Sequence, residues 1–187
     1  MPHKHKKAKH IILSAQMIAI GTMGLFGPIF AIYIERLGGD ILAAAFAVTI
    51  YSIVYGGLVI LLGRVTDKMK ESEYLIIAGF FLASLGYVGY IFAQNPFHIF
   101  ILEIVFGVAQ ALNTPAFDAL YQKHMDNRKP ASEWGQWEGL YYITEGITAF
   151  VGGVIANYIG FFYLFIIMAA ISLLTGIYLL LLPRKVL

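Results

Sequence analysis

The 187 residues are 59% hydrophobic and only 13% charged, with a mean hydropathy of +0.76. Soluble domains run at about 45–50% apolar and about 25% charged, so this chain lacks the polar surface to cover a globule in water; an ordinary soluble enzyme, a disordered chain and a nucleic-acid binder are excluded. The formal net charge is +2 and there is no cysteine, which excludes a disulfide framework, a thiolate metal site and a cysteine nucleophile.

Crossing about 30 Å of hydrocarbon takes about 20 mostly apolar residues in a helix. Six such runs are predicted: Ile11–Ile34, Ile41–Leu62, Tyr74–Ala93, Phe97–Tyr121, Gly135–Tyr158 and Phe161–Leu182. Each is apolar nearly all round, so the fold class is an all-α membrane protein of helices buried in lipid and in one another. The alternation of a β-barrel strand is absent. Residues 1–10 are predicted as a basic tail, 11–183 as a six-helix transmembrane domain and 184–187 as a short C-terminal end.

Of the 13 Lys and Arg residues, all but Arg36 fall in the N-terminal tail, the second and fourth loops, or the C-terminus. The positive-inside rule therefore predicts that both termini are cytoplasmic. Trp134 and Trp137 open the fifth span at the same interface. The tail also carries His3, His5 and His10; a metal site is one reading, and a topogenic tail touching anionic lipid is the other. The apolar run after it is too long for a cleaved signal peptide.

The loop between spans two and three reads Gly63-Arg64-Val65-Thr66-Asp67-Lys68-Met69-Lys70-Glu71-Ser72. It resembles the loop motif of the major facilitator superfamily, Gly-x-x-x-Asp-(Arg/Lys)-x-Gly-(Arg/Lys)-(Arg/Lys). Gly63, Asp67 and Lys68 match; Lys70, Glu71 and Ser72 depart. Gly107 and Asn113-Thr114-Pro115-Ala116 in span four are similar to the corresponding family region. The family's span-five antiporter pattern finds Gly135, Gly152 and Gly153, but Thr144, Thr148 and Ala149 replace its other members, so it does not assign antiport. The resemblance covers the chain as the N-terminal six-helix half of a transporter whose two halves are parallel repeats flanking the substrate path. It implies that spans one, two, four and five line that path while three and six pack outside. It also implies a partner: a second copy in an isologous homodimer, or a separately encoded second half.

Ionisable groups inside a membrane are functional candidates by default. Spans four and five carry Glu103, Asp118, Glu138 and Glu145, and no Lys or Arg lies inside any span. Glu103, Gly107, Gln110, Thr114 and Asp118 share one side of span four by spacing, and Glu138, Tyr141 or Tyr142, Glu145, Thr148 and Gly152 share one side of span five. Glu145, near mid-bilayer, reads as a proton-coupling or substrate carboxylate, or as a neutral acid bonded to a neighbouring helix. Glu103 divides the same way. Glu138 reads as a gate or a solvated interfacial group. Asp118 is expected to pair with Arg64, Lys68 or Lys70. Asn113, Thr114 and Pro115 mark a kink or a binding point. In span one, Gln16 and Thr22 accompany glycines expected to permit close packing, and Pro28 is expected to kink the helix. Thr49, Tyr51, Ser52 and Tyr55 could bind substrate or satisfy one another. Tyr87 and Tyr90 are expected to face lipid or packing partners, and His98 the outer interface.

The resulting reading is a secondary active transporter of a small molecule, working by alternating access with proton coupling and built from two six-helix units. Its partners are a small-molecule substrate, protons, the lipid bilayer and a second unit; no cofactor, metal or nucleic acid is expected. The alternative is a non-transporting membrane subunit, or one half of a split transporter. No Gly-x4-Gly-Lys-(Ser/Thr) phosphate loop and no His-Glu-x-x-His motif is present, so neither ATP-driven export by this chain nor an intramembrane protease is indicated.

Overall fold

A computed structural model describes residues 2–182, and the side chains of residues 8–182. Of the expected basic groups, Lys4, Lys6 and Lys7 with His3 and His5 lie outside the described side chains, and Arg184 and Lys185 outside the described residues. The elements are α1 (Pro2–Gly24), a 3-10 turn (Gly27–Ile29), α2 (Phe30–Arg36), α3 (Ile41–Thr66), α4 (Glu73–Ile91), α5 (Pro96–His124), α6 (Pro130–Tyr158) and α7 (Phe161–Leu181). Six of these segments are long and apolar enough to cross a membrane, α1 and α2 together making the first. All six predicted spans are therefore present. The helix of span one extends back to Pro2, through the residues predicted as a tail.

Local chemistry sets the ends. Pro28 has no N–H, so the α-helical ladder cannot pass it; Phe26 and Ile29 instead donate three residues back, to Met23 and Phe26. The predicted kink is thus a full break. α2 stops at Gly38 (φ 81°), where Gly39 and Gly38 donate to the carbonyls of Ile34 and Glu35 and cap the helix. Asp40 then accepts from the Ala43 N–H at 2.8 Å and opens α3. Asn95 accepts from His98 and Pro96 follows at the first turn of α5. Gly160 (φ 102°) turns the chain between α6 and α7.

The helices form two layers. α3, α5, α1 and α6 stand side by side in that order, and α4 and α7 pack behind them, α4 against α5 and α7 against α4 and α1. One core lies toward the Arg36 end and centres on Phe26, Ile34, Tyr90, Leu164, Phe165 and Met168. Phe26, held inward by the break in span one, meets Phe30, Tyr33, Tyr90, Phe161 and Phe165 edge-on. The other core, at the basic end, is built on Ile12, Ile77, Phe80, Phe117, Leu120 and Tyr121.

Burial is uneven. In the most apolar stretch of each span, 39–44% of residues are buried for spans one, three, four and six, but 6% for α3 and 11% for α6. The two edges of the front layer are its open helices.

α1 and α6 touch backbone to backbone. A Cβ on Gly152 would overlap the carbonyl of Leu25, while one on Gly139 would meet nothing within 4 Å. Gly152→Ala is therefore expected to destabilise the bundle by about 3 kcal/mol, the upper range for overpacking. Within the single unit, Gly139→Ala should be neutral, or stabilising by up to about 1 kcal/mol through helix preference. Thermal unfolding in detergent checks the pair; equal midpoints for the two variants would contradict the α1–α6 contact.

Candidate functional site

Between the two layers lies a cavity of about 280 Å³. α1, the 3-10 turn and α3 form its mouth through Met23, Gly27, Val48 and Tyr51; α4, α5 and α7 form its depth through Tyr90, Glu103, Phe106, Asn113, Met168 and Ser172. Met23, Gly27 and Val48 are exposed, whereas Tyr90 and Glu103 are buried at 2% and 7% exposure.

Glu103 sits where helix α5 faces α4. The Tyr90 hydroxyl donates to its Oε1, and among the described residues no donor meets Oε2. The Tyr33 hydroxyl donates to the Tyr90 carbonyl at 2.7 Å, and the Tyr90 ring stacks on Phe106 and Phe165 at 5.3 and 5.0 Å. Sequence spacing assigned Tyr90 to lipid or packing. It packs in the core, and it is also the hydrogen-bond partner of the buried carboxyl. Its recurrence with Tyr87 three residues apart on α4 was the available signal.

The predicted polar face of α5 divides. Glu103 and Gly107 are buried, and Gly107 is closed over by Val54 and the Tyr51 carbonyl of α3. Gln110 donates to Thr114 Oγ1 at 3.2 Å, and the Tyr55 hydroxyl donates to the same oxygen at 3.3 Å. Asn113 is buried with its Oδ1 unpartnered. Asp118 is exposed, and the expected pairing with Arg64, Lys68 or Lys70 is not formed: the ion pair among the described residues joins Lys9 to Glu133. Fifteen residues at 100° each leave Asp118 turned about 60° from Glu103, toward the surface.

On α6, Glu138 and Tyr142 are exposed, Tyr141, Glu145 and Thr148 half-buried and Gly152 buried against α1. Thr148 donates to the Thr144 carbonyl at 2.8 Å, and the backbone of Glu145 lies against Gly24 of α1. No hydrogen-bond donor meets the Glu145 carboxylate among the described residues. Tyr51 lies in electrostatic range of Tyr55, Glu103 and Tyr141, and Tyr141 in range of Tyr55 and Glu145. Electrostatic range thus links Tyr51 and Tyr55 of α3 with Tyr141 and Glu145 of α6, and Tyr51 also reaches Glu103, which is buried between the two layers. The structure leaves Glu138 and Asp118 apart at the basic end.

That end has its own cluster, invisible in the sequence because its members lie far apart in the chain. Lys9 pairs with Glu133 and sits 5.9 Å over the Tyr121 ring. The Tyr121 hydroxyl donates to the Glu133 carbonyl at 2.7 Å, and Trp134 meets Tyr121 edge-on. The loop motif follows α3: the Asp67 backbone N–H donates to the Gly63 carbonyl at 3.0 Å at the end of the helix, and Asp67 and Lys68 are exposed.

The family model described as Major Facilitator Superfamily matches residues 12–186. Among similar proteins, "Multidrug resistance protein MdtG" of Erwinia billingiae is 23% identical over 172 residues, covering 90% of this chain and 41% of that protein. Its namesake in Salmonella typhimurium is 24% identical over the same length, covering 42% of that protein. The "Uncharacterized MFS-type transporter YhjO" of Bacillus subtilis is 24% identical over 140 residues, 73% of this chain and 34% of that protein. The chain spans about two fifths of the length of the MdtG relatives it matches. With six apolar helices in two layers and a family match over nearly its whole length, the chain belongs to the Major Facilitator Superfamily, as a six-helix, multi-pass unit of the cell membrane.

Proposed function

We propose that the chain forms one half of a secondary active transporter that moves a small molecule by alternating access, with protons as the coupling ion. The observation that carries this reading is the front layer: its two edge helices are the least buried of the bundle and carry Glu145 with Tyr51, Tyr55, Tyr141 and Tyr142. A lone bundle would leave Glu145 and the tyrosines at its lipid face, where ionisable groups are costly. A second six-helix unit against that face shelters them and makes the path. The names of the MdtG relatives fit a small-molecule cargo.

The partner unit in this proposal is a second copy. α6 presents Gly135, Gly139, Gly146 and Gly153, and α3 presents Gly56, Gly57 and Gly63, none with anything within 4 Å of an added Cβ. Small residues let transmembrane helices approach closely. α3 and α6 are opposite edges of one layer, so a two-fold axis along the membrane normal sets α3 of each copy beside α6 of the other. Such an axis keeps both copies in the same orientation, with the termini and basic loops cytoplasmic.

Within the path, Glu145 is the proton-coupling carboxylate. Glu103, Gln110, Asn113, Thr114, Tyr141 and Tyr142 contact substrate or relay charge, and Glu138 guards the cytoplasmic mouth. Gly63, Asp67, Lys68 and Asp118 belong to the gate on that side.

Three outcomes test this. In proteoliposomes, Glu145→Gln should abolish pH-dependent flux while leaving folding and assembly intact; an unchanged pH dependence would remove Glu145 from coupling. Gly146→Leu should convert the dimer to a monodisperse monomer by native mass spectrometry in a mild detergent. A wild-type chain that is strictly monomeric, or bound to a different six-span protein, would refute the homodimer. Asp67→Asn should shift the balance of inward- and outward-facing states, read as labelling of single cysteines placed on either side of this cysteine-free chain.

A further inference from the structure

We infer that the cavity between the two layers of a single unit is a binding site for an aryl-alkyl ammonium, held by Glu103. The inference rests on the transport reading only in that the cavity opens onto the face the second unit would cover. Its volume, about 280 Å³, is just below the ~300–1,000 Å³ range of small-molecule pockets and suits a one-ring molecule with a short chain.

The chemistry of the walls selects the class. Glu103 lines the cavity at 7% exposure with one oxygen on Tyr90 and the other unmet. No Lys, Arg or His lines the cavity among the described residues. A buried carboxylate without a counterion is costly until a cation reaches it, and the described residues lining the cavity supply none. Around it stand the electron-rich rings of Tyr51, Tyr87, Tyr90 and Phe106, which favour an ammonium and its apolar body together. Gln110 and Ser172 add polar contacts deeper in. An isosteric alcohol would find the same apolar walls but no charge complement, and a carboxylate would be repelled. The mouth is unobstructed: Gly27 has open space around it and Met23 is exposed.

The test is equilibrium titration calorimetry of the full chain in lipid nanodiscs, with empty nanodiscs subtracted, using 4-phenylbutylamine, 4-phenylbutanol and 4-phenylbutyrate. The amine should bind at least about tenfold more tightly than the alcohol, as a charge-assisted contact implies, and the carboxylate weakest. Glu103→Gln should lower the amine's affinity about tenfold or more and leave the alcohol's unchanged. Ala83 of α4 also lines the cavity, and Ala83→Phe, which fills it, should abolish binding of amine and alcohol alike. Amine and alcohol binding equally would mean an apolar void only and would overturn the inference, as would full amine affinity in folded Glu103→Gln. Should that variant fail to fold, the three-ligand series on the wild-type chain decides alone. No gradient is involved, so absent flux with amine preference intact would count against the transport reading and not this one, and flux without amine preference the reverse.

Discussion

A carboxylate in hydrocarbon must find either a proton, a donor or a cation, because the solvent supplies none of them. The placement of the acids in this chain follows from that constraint. Glu103 is drawn into the bundle, where Tyr90 gives it a hydroxyl, and Tyr90 is itself fixed by ring stacking and by the Tyr33 hydroxyl on its carbonyl. Glu133, at the basic end, finds Lys9. Glu145 has no such partner among the described residues and stands half-buried in the front layer. The acids are thus graded from satisfied to unsatisfied, and the unsatisfied one lies where a second unit would close over it.

The break in span one serves the same end. Pro28 stops the helix, and the chain turns through Phe26 into a cluster of rings before α2 continues. The break keeps Gly27 and Met23 at the surface while Phe26 is buried, so one irregular turn both anchors the core and leaves an entry to the cavity behind it. A straight helix would carry side chains past that point at regular 3.6-residue spacing and would not separate the two tasks.

Much of this was legible in the sequence. Span length is dictated by bilayer thickness, so six runs of apolar residues give six helices. Asp40, Pro96 and Gly160 mark ends by local chemistry. The intramembrane acids announce themselves because no Lys or Arg lies inside any predicted span. What was hidden is which way each helix turns. Helices apolar on all sides carry no moment to distinguish lipid from protein, since lipid tails and leucines are equally apolar. Tyr90 could therefore be named a packing residue but not the partner of Glu103, and the face of α5 looked continuous where it divides between α3 and the surface. The Lys9–Glu133 pair, 124 residues apart, has no local signature at all.

Glycine separates the two kinds of helix surface more sharply than hydrophobicity does. On α1 and α6, Gly21, Gly24 and Gly152 are occupied positions: an added methyl would strike Thr144, Thr148 or the Leu25 backbone. On the outer sides of α3 and α6, Gly56, Gly57, Gly139, Gly146 and Gly153 are empty ones. In a membrane a small residue earns close approach only if another backbone comes up to it, and helix preference otherwise disfavours glycine against alanine by about 1 kcal/mol. Empty glycines on the two least buried helices thus carry a cost the unit alone does not recover. Gly139, Gly146 and Gly153, seven residues apart, fall along one line of α6. In our proposal that line is where the α3 of a second copy lies, and the open edge of one layer becomes the seam between two.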